Sequence, residues 1–170
     1  MTRPPSKSEI LFARIAIALI VGLAVAGIFW YDLSTDELSR VWRNIVARPG
    51  GPMTFRFVLQ PAMAGVAALR DGVADARLLR EPYLSAILRG VGGRGSRLWE
   101  GIVSTSRILI LGVVMDVIYQ LVFLGEFYPA EAAIIAVLLA FVPYALLRGP
   151  LGRIARRWVG RRPPADRLVA

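Results

Sequence analysis

The chain has 170 residues and contains neither cysteine nor histidine. Without Cys there can be no disulfide, no thiolate metal site and no thiol nucleophile. Without His, the commonest general base and the commonest metal ligand are both missing. Lysine occurs once, at Lys7. Arginine supplies the other positive charges and cannot act as a base at ordinary pH. An enzyme built from this chain would have to work with carboxylates, Lys, Tyr, Ser or Arg. No convincing cluster of such groups is present, so the sequence predicts a protein that is not an enzyme and holds no metal and no cofactor.

What the chain has in excess is apolar residues and arginine. The apolar share is 56%, above the usual range of about 45–50% for a soluble domain. The formal net charge is +9, which taken alone suggests a nucleic-acid binder. The basic residues cluster between long apolar runs, and that placement argues for a membrane protein with no nucleic-acid partner.

Three runs are plain: IAIALIVGLAVAGIFWY at 15–31, ILILGVVMDVIYQLVFLG at 108–125 and AEAAIIAVLLAFVPYALL at 130–147. Each has the length a helix needs to cross about 30 Å of hydrocarbon. A fourth segment, PMTFRFVLQPAMAGVAAL at 52–69, contains Arg56, Gln60 and Pro61 and by itself also fits a re-entrant or interfacial helix. Charge distribution decides between these. The N-terminal stretch carries Arg3, Lys7 and Arg14 against Glu9. Loop 70–107 has seven Arg against four acids, and the tail from Arg148 has seven Arg against one acid. The hairpin GEFYPAE is acidic, and 32–52 is balanced. Only if all four segments cross do the basic stretches share the cytoplasmic side. The expected fold is therefore all-α, a polytopic membrane bundle of four transmembrane helices with interfacial amphipathic helices. Its parts are a basic cytoplasmic N-terminus at 1–14, the bundle at 15–147 with a cytoplasmic loop at 70–107, and a basic amphipathic tail at 148–170. Both termini are expected in the cytoplasm of a bacterial inner membrane.

The aromatic residues agree with these spans. Phe29, Trp30, Tyr31, Phe55, Phe57, Phe127 and Tyr128 fall at the expected outer interface, and Trp99 and Trp158 near the inner one. Ala24-Val25-Ala26 has the A-x-A form of a signal-peptidase site after a basic region. The apolar run continues through Trp30, which favours an uncleaved anchor. Small residues at four-residue spacing allow close helix approach. Such stripes occur at Ala18, Gly22 and Ala26, at Ala64 and Ala68, and at Ala132, Ala136 and Ala140. Pro61 and Pro143 are expected to kink their helices.

Asp116 stands near the middle of its span, where charge is costly. Gln120 lies one turn on, on the same face. Gln60 and Arg56 form a second pair at this spacing on the second span. In antiparallel helices Gln60 falls level with Asp116, and Arg56 with Gln120. These four residues are expected to form an interhelical polar ladder. Three roles fit it: glue between two helices, a proton or ion relay through Asp116, or a face for a partner subunit.

Other motifs carry less. Asp71 and Asp75 lie one turn apart, but Arg70 and Arg77 flank them and no third ligand is evident, so a solvated, salt-bridged helix end is expected. GVGGRG at 90–95 matches G-x-G-x-x-G without the βαβ setting a dinucleotide site needs, and is read as a flexible turn. The tail LGRIARRWVGRR puts Leu151, Ile154, Ala155, Trp158 and Val159 on one helical face. Arg153, Arg156, Arg157 and Arg161 mostly occupy the rest, which suits the membrane surface and anionic headgroups. Stretch 33–48 resembles a second interfacial helix, with Ser34 and Glu37 at capping-box spacing and Leu38, Val41, Trp42 and Ile45 as its apolar face.

The segments FRFVLQPAMAGVAALRDGVADAR, STSRILILGVVMDVIYQLVFL, FYPAEA and LLRGP together resemble small multi-pass bacterial inner-membrane proteins of uncharacterised function. The resemblance covers roughly 54–158 and implies a membrane location but no defined activity. The expected role is a non-enzymatic membrane subunit or scaffold contacting the bilayer, anionic lipid headgroups, and a membrane-protein partner or a second copy of itself. The alternative is a small transporter or proton-conducting protein using Asp116.

Overall fold

The computed structural model describes residues 4–30 and 35–159, with backbone alone at 35–38 and 159. Helix α1 is Lys7–Trp30 and α2 is Thr35–Ala47, followed by a 3-10 turn at Arg48–Gly50. Helix α3 is Arg56–Arg77, α4 is Tyr83–Arg89 and α5 is Arg94–Tyr119, which continues as a π turn over Gln120–Leu124. Helix α6 is Pro129–Ala136, and a π turn at Val137–Phe141 joins it to α7, Val142–Val159. No strand occurs among the described residues.

Among the described residues, three helices are long and apolar enough to cross a membrane: α1, α5 with its π turn, and α6 running into α7. They cover the described part of the three plain apolar runs but for Gly125, and α1 and α5 begin well before theirs while α7 runs on past its own. The segment at 52–69 is not among them. Its helix starts at Arg56, because the chain turns at Met53 with φ 62°, and it runs past Leu69 to Arg77. Stretch 70–107 is therefore mostly helix, the end of α3 with α4 and the start of α5. The tail is not a separate helix either: α7 passes through Arg148 without a break. The π turn before Pro143 relieves the ring's clash with the carbonyl four residues back.

The helices alternate in direction. Along α3 and α5, Arg56 meets Asp116, Gln60 faces Gly112, Asp71 meets Ser104 and Asp75 meets Arg97. Rising numbers on one helix pair with falling numbers on the other, so the two are antiparallel over all of α3. Helices α3 and α7 run parallel, with Asp71 bonded to Tyr144 and Asp75 to Arg148. Helix α1 runs with α5. Phe12 packs on Arg107, and Gly27 reaches the start of α6 at Ala130.

Small residues form the interior. Ala16, Ala64, Ala68, Ile108, Leu109 and Ala140 are buried together, while Val21, Ile28, Phe29, Val58 and Val66 point outward. Large apolar groups outside and alanine inside suit helices solvated by lipid, where close contact replaces the hydrophobic effect. Helices α3 and α7 approach backbone to backbone. A Cβ on Gly72 would stand 3.0 Å from the Arg148 carbonyl oxygen and 3.0 Å from the Gly152 nitrogen. The stripes at Ala64 and Ala68 and at Ala132, Ala136 and Ala140 are buried. Helix α1 packs differently from its stripe, through Ala13, Ala16 and Gly27, and leaves Ala18 and Gly22 exposed.

Candidate functional site

Two clusters of charge are buried in this bundle. The first is centred on Asp116, halfway along the last three turns of α5. Arg56 on α3 donates from Nη1 to Asp116 Oδ1 at 2.8 Å. Arg48, on the 3-10 turn, donates to the same oxygen from its own Nη1. Gln120 donates from Nε2 to Asp116 Oδ2 at 2.6 Å. Arg48 also donates from Nη2 to Glu131 Oε2 on α6 at 2.6 Å, so it bridges two acids. Glu131 Oε1 accepts from Arg40 and from Asn44, each at 3.2 Å. Gln120 completes its valence on the backbone of Tyr128, whose N–H donates to Oε1.

Arg48, Arg56, Asp116 and Glu131 are all buried and sum to zero charge. Arg56 Nε and Nη2, Arg48 Nε and Gln60 Oε1 are buried without a hydrogen-bond partner. The ring of Tyr119 lies 4.6 Å from the Arg56 guanidinium carbon and 5.4 Å from that of Arg48. Its π face offsets part of the missing bonds. Gln60 Oε1 is 3.3 Å from the position of a Cβ on Gly112.

The four ladder residues are thus brought to one buried region, in a register one turn away from the expected one. Arg56, not Gln60, stands level with Asp116. The chain reaches Asp116 already turned into α3 at Arg56, and 48–55 fill the space beside the end of α5. Arg48, Glu131, Arg40 and Asn44 belong to the same cluster and were not predicted. A signal for them existed: Arg40, Asn44 and Arg48 recur every four residues, the spacing of one helix face. Helix α2 turns that polar stripe inward and leaves Trp42 and Val46 exposed. Val41 and Ile45 are half-buried. Ser34 lies outside the described residues, as do Tyr31, Asp32 and the side chains of Glu37 and Leu38.

The second cluster corrects the expectation of a solvated helix end. Asp75 is buried. Its Oδ2 accepts from Arg148 Nε at 2.8 Å, and its Oδ1 from Arg148 Nη2 at 3.1 Å and Arg97 Nη1 at 3.3 Å. Glu100 accepts from Arg148, Arg97 and Arg80 at 3.1, 3.1 and 3.2 Å. Asp71 accepts from Ser104 at 2.5 Å and from the Tyr144 hydroxyl at 2.6 Å. The Arg148 guanidinium lies 4.5 Å from the Tyr83 ring. Burial raises the Tyr83 phenol to about 12, against the opposing pull of Arg148. Its hydroxyl donates to the Arg97 carbonyl at 3.0 Å.

Between Gln60 and Asp71 helix α3 rises roughly 16 Å. Among the described residues no buried charge lies in that interval. Its buried hydroxyls, Thr105 and Ser106, donate to carbonyls of their own helix. Of the expected lipid-facing tail, Arg153, Arg157 and Trp158 are exposed and Arg156 is half-buried. Arg161 lies outside the described residues.

Among the described residues, fold and site together define an all-helical protein with three helices long and apolar enough to cross a membrane and two buried ion clusters. No protein-family model, no curated protein and no solved structure matches the chain, so the resemblance drawn from its sequence places it in no defined family.

Proposed function

We propose that the chain is a non-enzymatic, four-crossing subunit or scaffold of a bacterial inner membrane, with both termini cytoplasmic. The observation that carries the role is the engagement of both carboxylate centres by arginines from other elements, with an apolar interior between them. Asp116 is already bonded to Arg48, Arg56 and Gln120, and among the described residues no polar path leads on from it to Asp75. What such clusters do well is hold helices in one register. The fourth crossing is composite: α3 supplies its inner part, in register with α5, and the turn at 48–55 its outer part. The open Ala18 and Gly22 face of α1 suits a neighbouring helix, from a membrane partner or a second copy.

Proteoliposomes test the role. Passive proton flux equal to that of protein-free vesicles is expected, for the wild type and for Asp116→Asn alike. Flux above background that Asp116→Asn abolishes would establish the conducting alternative instead. Purification from native membranes in mild detergent should recover a complex, and recovery of a lone monomer would count against the subunit. The absence of Cys makes topology directly readable. Ser8→Cys and Ser96→Cys should resist an impermeant thiol reagent in intact cells, whereas Gly50→Cys should react. Equal labelling of Gly50→Cys and Ser96→Cys would remove the fourth crossing.

A further inference from the structure

We infer that the corner between α3 and α4, with the turn after α4, is a docking surface for anionic phospholipid headgroups. This rests on the membrane-spanning reading above, and it moves lipid recognition away from the tail. From Arg70 to Arg77 helix α3 rises roughly 10 Å, beyond the last lipid-facing residues of its apolar side, Val66 and Leu69. That rise is enough to traverse a headgroup layer of about 5–7 Å per leaflet. The corner it reaches is apolar and uncovered. Leu79 is 81% exposed and Leu88 is 75% exposed.

Leu79 also has a left-handed backbone, with φ 52°. A leucine in that conformation is strained, and strain of this kind is retained where the outward direction of the side chain matters. Arg77 and Arg89 are exposed immediately beside these leucines, and Arg94 is exposed across the turn. Arg94 donates to the Leu88 carbonyl at 3.0 Å, which holds the turn against the end of α4. Exposed leucines flanked in sequence by exposed arginines suit the headgroup region of an anionic bilayer.

Two other occupants fit less well. A second copy related by a two-fold axis would bring the same arginines against each other. An apolar protein partner would have to leave Arg77 and Arg89 without counter-charge, whereas anionic lipid supplies it. The cleft of about 300 Å³ behind this corner is lined by Arg80, Arg97 and Glu100, which are already paired with one another. Its one further charge is Glu81, an exposed carboxylate set against the exposed Arg77, Arg89 and Arg94, so the corner stays net basic.

A single thiol at Leu88→Cys, in the otherwise Cys-free chain, can carry an environment-sensitive fluorophore. The full-length protein is placed at one chain per nanodisc, in discs of phosphatidylcholine alone or mixed equally with phosphatidylglycerol. In the mixed discs the probe should be quenched by a lipid carrying a headgroup nitroxide. It should also be several-fold less accessible to iodide than in phosphatidylcholine discs. Arg77→Gln/Arg89→Gln should abolish that difference while Arg153→Gln/Arg157→Gln leaves it. Equal iodide access in both lipids, or an unchanged difference in Arg77→Gln/Arg89→Gln, would overturn the assignment with the membrane reading intact. Failure of the wild-type protein to enter discs at all would instead overturn the membrane reading.

Discussion

The Asp116 and Asp75 clusters are built from the same chemistry and differ in how the fold delivers it. Each places a buried carboxylate between arginines and backs the arginines with tyrosine. Asp75 stands on α3 and its arginine partners come from two other long helices, α5 and α7, and Glu100 duplicates the carboxylate's role. At Asp116 the bridging arginine, Arg48, comes from a short turn, and that turn is tied down chiefly by the ion pairs themselves. One end of the molecule is therefore redundant, and the other depends on single residues. Buried ion pairs add little net stability but are severe to break by halves. The dependent end should consequently be the fragile one.

The largest test of this contrast is Asp116→Leu, which strands Arg48 and Arg56 in a dry interior. A loss of about 3–5 kcal/mol is expected from half-breaking such a cluster, read as unfolding free energy in mixed detergent micelles. Replacing the arginines and neutralising the second acid that Arg48 bridges, in Asp116→Leu/Arg48→Met/Arg56→Met/Glu131→Gln, should recover most of it, because the replacement set of similar volume leaves no buried charge unpaired. Failure to recover would mean that the charges, and not just the packing, specify the register. Asp75→Asn should cost less, roughly 1–3 kcal/mol, because Arg148 and Arg97 still reach Glu100. A larger loss there than at Asp116 would invert the comparison. The smallest effect expected is Tyr83→Phe, about 1 kcal/mol for one neutral hydrogen bond, seen as a modest drop in thermal midpoint. Tyr83→Phe exceeding Asp75→Asn would mean that ring packing, and not the acid, secures that end.

Much of this architecture can be read from residue order. The three apolar runs locate α1, α5 and α6–α7, because length and composition alone suffice for a lipid-facing helix. The polar residues at Arg56, Gln60, Asp116 and Gln120 announce themselves by standing in the wrong company at helical spacing. Their register does not follow, since it depends on α3 beginning at Arg56 after the Met53 turn, and nothing in an apolar window marks that start. The continuation of α3 to Arg77 was hidden for a related reason. Asp71 and Asp75 look like a solvated, salt-bridged helix end until Arg97 and Arg148, distant in sequence, are placed beside them. Arg48 was missed because it lies outside the apolar windows, and Glu131 because it is the second residue of one, beside the acidic hairpin. Glu131 in particular reads as an ordinary hairpin charge until α2 is folded over it.

The Arg48 bridge also has a consequence in time. Its two acids lie 68 and 83 residues further along the chain. An arginine entering hydrocarbon without a counter-charge costs on the order of 3 kcal/mol even by lenient scales. As the polypeptide is synthesised, Arg48 and Arg56 therefore have reason to wait at the aqueous boundary until Glu131 has emerged. Helix α1 would insert first and the region around 48–56 last, after the helices that follow it. This order is a hypothesis that truncation can test: a chain stopped before Glu131 should leave Val58→Cys, on the outward face of α3, open to an impermeant reagent several-fold more than the full-length protein does. Equal reactivity in the two would show that Arg48 settles without its acids. On this view the short turn is the last latch to close in assembly.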